Sequence, residues 1–240
     1  MRKNADFLMV VYFAFFALVM LSGTISGVLS EVVFYLAYIL PFFLAVTVLK
    51  KNAGEKSLFS LDKSRVKLFL PTIFPTVFLI VLLSYLSSIL IFFAFGKVST
   101  VSMGENVAVA ILYHALLPAL LEELLFRYLP LRILSHTSPR RAVLISAICF
   151  AFAHASPYQI PYALVAGVIF AVLDLSFLSI LPSIIIHFLN NTLSLTLTYG
   201  YLSGVPKPLL YTISASVVAV SVLYIAYRSG DKIKSFMGRR

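Results

Sequence analysis

The sequence predicts an all-α, polytopic transmembrane helix bundle of about eight spans, with both termini cytoplasmic. Three observations carry that expectation. The chain is 61% hydrophobic and 12% charged over 240 residues, with mean hydropathy +1.01; a soluble domain averages about 45–50% apolar and about 25% charged. Apolar runs recur at the length a bilayer demands. The basic residues gather in the segments between alternate runs.

A hydrocarbon core about 30 Å thick takes roughly 20 residues of helix. By that ruler the spans cover roughly 5–29, 32–49, 68–95, 107–131, 142–156, 160–173, 180–197 and 209–227. The first follows Arg2 and Lys3, but it is too long for a signal-peptide core and no small-residue cleavage site follows it. Gly23 and Gly27 form a GxxxG pattern there, which permits close helix approach. The stretch 50–67 between the second and third runs reads as a basic cytoplasmic loop. With Leu58, Phe59 and Leu61 it reads equally as an amphipathic helix on anionic headgroups. The fourth run contains Pro118, which removes a helix hydrogen bond and favours a kink. The fifth and sixth are short, as suits helices that line a cavity. The eighth leads into a basic tail.

Topology follows from the charges. Starting with Arg2 and Lys3 inside, the inner segments hold Lys50, Lys51, Lys56, Lys63, Arg65, Lys67, Arg132, Arg140 and Arg141, and then the tail residues Arg228, Lys232, Lys234, Arg239 and Arg240. The outer segments hold only Lys97 and Lys207, and Arg127 lies within a span. A wrong span count would scramble this asymmetry, which is that of a positive-inside protein. The net charge of +10 is therefore topological and does not point to nucleic acid. The single cysteine, Cys149, excludes an internal disulfide and a multi-cysteine metal site. No repeat or low-complexity tract divides the chain, so residues 1–240 form one transmembrane domain. Asn190-Asn191-Thr192 matches a glycosylation acceptor but falls inside a span, out of reach of a transferase.

Charges at bilayer depth are costly unless paired or solvated, which makes them functional candidates. The fourth span carries Glu122, Glu123 and Arg127. At 100° per residue Glu123 and Arg127 sit about 40° apart, one turn along, and can pair. Glu122 is rotated about 100° from Glu123 and faces elsewhere in the bundle. The fifth span ends in Phe150-Ala-Phe-Ala-His154, with small neighbours that let another helix or a peptide come close. On the seventh, His187 and Asn191 are four apart and share a face. Depth brings them together. At 1.5 Å rise, Glu122 lies ~15 Å from Arg132, His154 ~18 Å from Ala142, Asn191 ~16 Å from Ile180 and His187 ~10 Å from it. All fall in one slab between the cytoplasmic side and the midplane. His114 is expected to pack or hydrogen-bond, and Asp174, closing the sixth span, is expected at the interface.

The chain has no HExxH motif for a zinc site, no GxSG serine and no Gly-x-Gly-Asp carboxylate. What remains is a carboxylate and a histidine able to activate water, with a histidine and an amide able to stabilise an oxyanion. Amide hydrolysis needs those two functions.

EExxxR, FxxxH and HxxxN, in that order on successive motif-bearing spans, resemble the CAAX protease and bacteriocin-processing family of intramembrane proteases, related to the Ras-converting CAAX endopeptidase. The likeness covers a core of 107–197. It implies that Glu122 and His154 activate the attacking water, that His187 and Asn191 form the oxyanion site, and that Glu123 and Arg127 support the first motif. It implies a membrane-associated protein or peptide substrate, prenylated in the CAAX case. A metal-free, glutamate-type hydrolase is expected, with zinc on Glu122, His154 and His187 as the alternative. Many members carry glycine after the motif arginine where this chain has Tyr128, a departure that bears on cavity shape. The compact chain suits the cell membrane of a prokaryote better than the endoplasmic reticulum. A non-catalytic peptide-binding or bacteriocin-immunity protein is the competing function. A proton-coupled transporter is disfavoured, because no paired Gly/Pro-interrupted half-spans occur.

Overall fold

The computed structural model describes residues 2–48, 63–95, 106–135, 138–157, 159–198, 212–213 and 215–217. Helices follow the apolar runs: α1 (Arg2–Ser22), α2 (Val28–Val48), α3 (Lys63–Phe95), α4 (Val107–Leu134), α5 (Pro139–Ala153), α6 (Ile160–Phe177) and α7 (Leu181–Thr198). No strand occurs among the described residues. Most of the expected loop at 50–67 and of the expected last span at 209–227 lies outside them. Among the described residues four helical stretches are long and apolar enough to cross a membrane: Val28–Thr47, Val66–Ser87, Val107–Leu134 and Ile160–Phe177. Helix α5 falls short in length, with 15 residues. Helix α7 has 18 residues, but its His187, Asn190 and Asn191 dilute its hydropathy. These two helices carry site residues; α5 packs on α6, and α7 on α3, α4 and α6.

Two sequence expectations are corrected at helix ends. The first helix stops at Ser22, not near residue 29. Gly23 and Gly27 are therefore no packing motif. A Cβ on Gly23 would meet only carbonyls of its own turn, and Gly27 takes φ +72° in the turn to α2. That conformation costs an L-residue roughly 1–2 kcal/mol. The sixth helix runs on to Phe177, beyond 173, and ends on Leu178 in the left-handed region at φ 53°. Asp174 stands near that helix end, but inside the protein. It lies in the last turn of α6 with 2% of its surface exposed.

The core is aromatic. Phe126 of α4 stacks on Tyr12, meets Phe15 and Tyr38 edge-on, and touches Phe150 of α5. One ring thus joins α1, α2, α4 and α5. The outward faces are also apolar, as with Phe13 at 77% and Phe93 at 81% exposure, a surface that hydrocarbon solvates as well as protein does.

Helix α4 contains two π-helical turns, Leu112–Leu116 and Leu124–Tyr128. Each directly precedes a proline turn, Pro118 for the first and Pro130 for the second. Proline lacks an N–H and its ring crowds the carbonyl four residues back. A wider turn relieves that crowding and leaves carbonyls without a helical donor. Hydroxyls from other helices supply the missing donors. Tyr35 of α2 donates to Tyr113 O at 3.2 Å, Tyr12 of α1 to Leu125 O at 3.4 Å, and Ser146 of α5 to Phe126 O. The kink expected at Pro118 is thus resolved as a π-turn. Glu122 and Glu123 lie on the α-helical segment between the two widened turns.

Helices α5 and α6 meet at Gly167, where an added Cβ would lie 2.9 Å from Ala147 Cα and 3.3 Å from Phe150 Cδ1. Gly167→Ala is expected to cost about 1–3 kcal/mol of stability, as overpacking does, read from thermal unfolding in detergent. Gly23→Ala, with ordinary contacts only, is the control that should leave the midpoint nearly unchanged.

Candidate active site

The base of the site is a buried ion pair. Arg127 and Glu123 are both 0% exposed, with Arg127 Nε 3.2 Å from Glu123 Oε2. The pair read from the i,i+4 spacing forms. The guanidinium carbon lies over Phe150 of α5, 3.9 Å from the ring centroid, and 5.3 Å from that of Phe170 on α6. Its Nη1 and Nη2 have no hydrogen-bond partner. The cation is therefore held by charge and by aromatic faces, an attraction that strengthens on desolvation.

Above the pair sits His187 of α7. Its Nδ1 lies 2.8 Å from Glu123 Oε1, and its Nε2 lies 3.9 Å from Glu122 Oε2. A carboxylate accepts, so Nδ1 carries a hydrogen and donates it to Glu123. Nε2 is left facing Glu122 and the cleft. The two adjacent glutamates thus divide as their 100° rotation requires. Glu123 faces Arg127 and one ring nitrogen, while Glu122 faces the other nitrogen, with its side chain 13% exposed.

His154 follows the last turn of α5. Its Nδ1 is 2.9 Å from Phe150 O, a carbonyl of the helix end. A carbonyl only accepts, so Nδ1 carries the hydrogen and Nε2 is the nitrogen able to take a proton. The ring lies edge-on to Phe150 at 4.8 Å. Phe150 also meets His187 edge-on at 5.5 Å. One phenyl group therefore spaces both histidines and carries the arginine. In the sequence it is only the first letter of FxxxH.

His154, His187 and Asn191 open on one small cleft, whose walls include Phe150, Phe170, Tyr162 and Asn190. Glu122 joins the group through His187, and Glu123 and Arg127 lie beneath it. Helices α4, α5 and α7 are thus neighbours around the cleft. Other residues fall elsewhere. His114 sits in the first π-turn and is not part of the cleft wall. Tyr128 turns to Phe42 and Arg132, so the residue in the family's glycine position does not fill the cavity. Cys149 is half-buried. Sequence reasoning missed Tyr162 and set Asn190 aside as a false glycosylation match. It noted Asp174 only as the close of a span and did not single out Ser183.

Among the described residues no group of three His, Cys, Asp or Glu side chains is arranged to hold a metal ion. Each histidine gives Nδ1 to Phe150 O or Glu123 and turns Nε2 elsewhere, a bonding pattern that a metal-bound histidine also shows.

Residues 104–193 match the family model described as type II CAAX prenyl endopeptidase Rce1-like. The matched segment runs from the approach to α4 to the middle of α7 and includes Glu122, Glu123, Arg127, His154, His187 and Asn191. No curated protein and no solved structure matches the chain. With four helices among the described residues long and apolar enough to cross a bilayer, the chain is an integral membrane protein.

Removing one partner of a buried ion pair strands the other charge and costs about 3–5 kcal/mol. Arg127→Met is expected to lose that much, and Arg127→Met with Glu123→Gln to lose less than Arg127→Met alone. Unfolding of the three proteins in mixed micelles measures the difference. A double variant as unstable as the single one would contradict the pairing.

Proposed function

We propose that the protein is an intramembrane endopeptidase that hydrolyses a peptide bond in a membrane-associated or lipidated, CAAX-type protein. The observation that carries this reading is the cleft shared by His154, His187 and Asn191, with His154 Nε2 as the ring nitrogen free to accept, inside an Rce1-like segment. Glu122, whose Oε2 lies 3.9 Å from His187 Nε2, is a carboxylate with no hydrogen-bond partner at that oxygen.

In the proposed reaction Glu122 and His154 take a proton from water as its oxygen attacks the scissile carbonyl carbon. The carbonyl oxygen becomes an oxyanion beside the Asn191 amide and His187 Nε2. Donation from Nε2 requires the His187 ring to carry both hydrogens, and a carboxylate lies at each nitrogen. Collapse of the intermediate breaks the C–N bond, and the proton held by Glu122 or His154 passes to the leaving amine. Glu123 and Arg127 hold His187 and take no proton. No metal is needed in this scheme. The substrate approaches from the cytoplasmic face of an eight-span protein with both termini inside, in the cell membrane of a prokaryote. That topology rests on the distribution of basic residues.

Glu122→Ala and His154→Ala are each expected to lower turnover of lipidated peptides about 10²–10⁴-fold, the usual range for a general acid–base group. Both should leave the elution profile and unfolding midpoint intact. Cleavage that persists in either variant would remove the assignment. A chain that binds peptide equally well with Glu122→Ala and never cuts would be a binding or immunity protein.

Asn191→Ala should reduce kcat about 10²–10³-fold with a small change in KM, as loss of an oxyanion donor does. Chelators should leave the wild-type rate unchanged. Stoichiometric zinc in purified protein, together with loss of cleavage on chelation, would replace this mechanism with a metal-dependent one.

A further inference from the structure

Asp174 is a second buried carboxylate near the site, on α6, with no role in the scheme above. It makes two bonds to one residue. Its Oδ1 accepts the Ser183 backbone N–H at 3.2 Å, and its Oδ2 accepts the Ser183 hydroxyl at 2.7 Å. Ser183 is the third residue of α7, in the turn whose N–H groups have no helical acceptor. The donors of that turn are otherwise accounted for. Leu181 N–H goes to Ser179 Oγ at 3.2 Å, Pro182 has none, and Ile184 N–H returns to Ile180 O. Asp174 therefore supplies the missing acceptor, and it does so across a reversal of chain only three residues long, 178–180.

The position of this tie matters because of what lies one turn further along. Ser183 and His187 are four apart, on one face of α7. A rotation or slide of the first turn of α7 would therefore shift His187 relative to Glu123.

We propose that Asp174 is a positioning residue, which through Ser183 sets the rotation and height of α7 so that His187 meets Glu123 and presents Nε2 to the cleft. This rests on the hydrolase reading for its effect on rate. An asparagine can make the same tie. Its oxygen accepts the Ser183 N–H, its amide donates to Ser183 Oγ, and the hydroxyl hydrogen turns to Ile180 O, 3.0 Å away. Alanine cannot make it.

The test compares wild type, Asp174→Asn, Asp174→Ala and Ser183→Ala in proteoliposomes, using lipidated peptide as substrate. Asp174→Ala should lower kcat roughly 10–100-fold, the scale of a slight misplacement, with KM little changed. Asp174→Asn should stay within about 3-fold of wild type, and Ser183→Ala should fall between them. The second readout is the ring Nδ1–H proton of His187 in ¹⁵N-histidine NMR, assigned by its loss in His187→Gln. It should persist in the asparagine variant and shift or vanish in the alanine variant. If Asp174→Ala fails to fold, Ser183→Ala must still show a smaller loss in kcat and a shift of that proton. An unchanged kcat and proton in the alanine variants would overturn the proposal. So would asparagine losing as much as alanine, because the charge rather than the tie would then matter. If wild type cuts no peptide while the His187 proton follows the expected pattern, the hydrolase reading fails and the positioning of His187 stands.

Discussion

The Arg127 guanidinium, without exposure and without a hydrogen-bond partner for its two terminal nitrogens, is the constraint around which the site is organised. A cation cannot rest there unless a carboxylate and polarisable faces surround it. Glu123 supplies the first from the same helix. Phe150 and Phe170 supply the second from α5 and α6. Glu123 then has one oxygen left, and that oxygen receives His187 from α7. Four helices are thus fixed relative to one another by the demand of a single buried charge. The cleft above inherits its shape from that arrangement.

Backbone bonding imposes a second constraint. In hydrocarbon, every carbonyl without a donor is expensive. Pro118 and Pro130 each deprive α4 of a donor, and each vacancy is met by a hydroxyl from a different helix. Tyr35, Tyr12 and Ser146 therefore act as cross-ties as well as side chains in a core. Asp174 does the converse at the start of α7, meeting an N–H that lacks an acceptor. The residues that keep the backbone satisfied are the same ones that hold the motif-bearing helices at a common depth.

Much of this was legible in the sequence. Span lengths follow from hydropathy, so α2 to α7 fall close to the apolar runs that predict them. The Glu123–Arg127 pair follows from spacing along one helix. Depth along each helix follows from rise per residue, so Glu122, His154, His187 and Asn191 were placeable in one slab. What periodicity cannot supply is which helices are neighbours, and the errors follow from that. Asp174 was placed near the end of its span, but its partner Ser183 becomes visible only when α6 and α7 are side by side. Gly23 and Gly27 match a packing motif by letter, but Gly27 serves a positive φ in a turn. Phe150 has no titratable group to draw notice, yet Arg127, His154 and His187 all rest on it.

The second π-turn has one more consequence, concerning length rather than chemistry. Five residues there fill the arc that about four would fill in an α-helix. Everything from Leu129 onward is set back in phase by about one position relative to Glu122. Single-residue insertions or deletions in a membrane helix normally scramble every face beyond them. Here the widened turn absorbs such a step locally, so the carboxylate face and the Arg132 end of α4 have angular settings that can drift apart over evolutionary time without either being rebuilt.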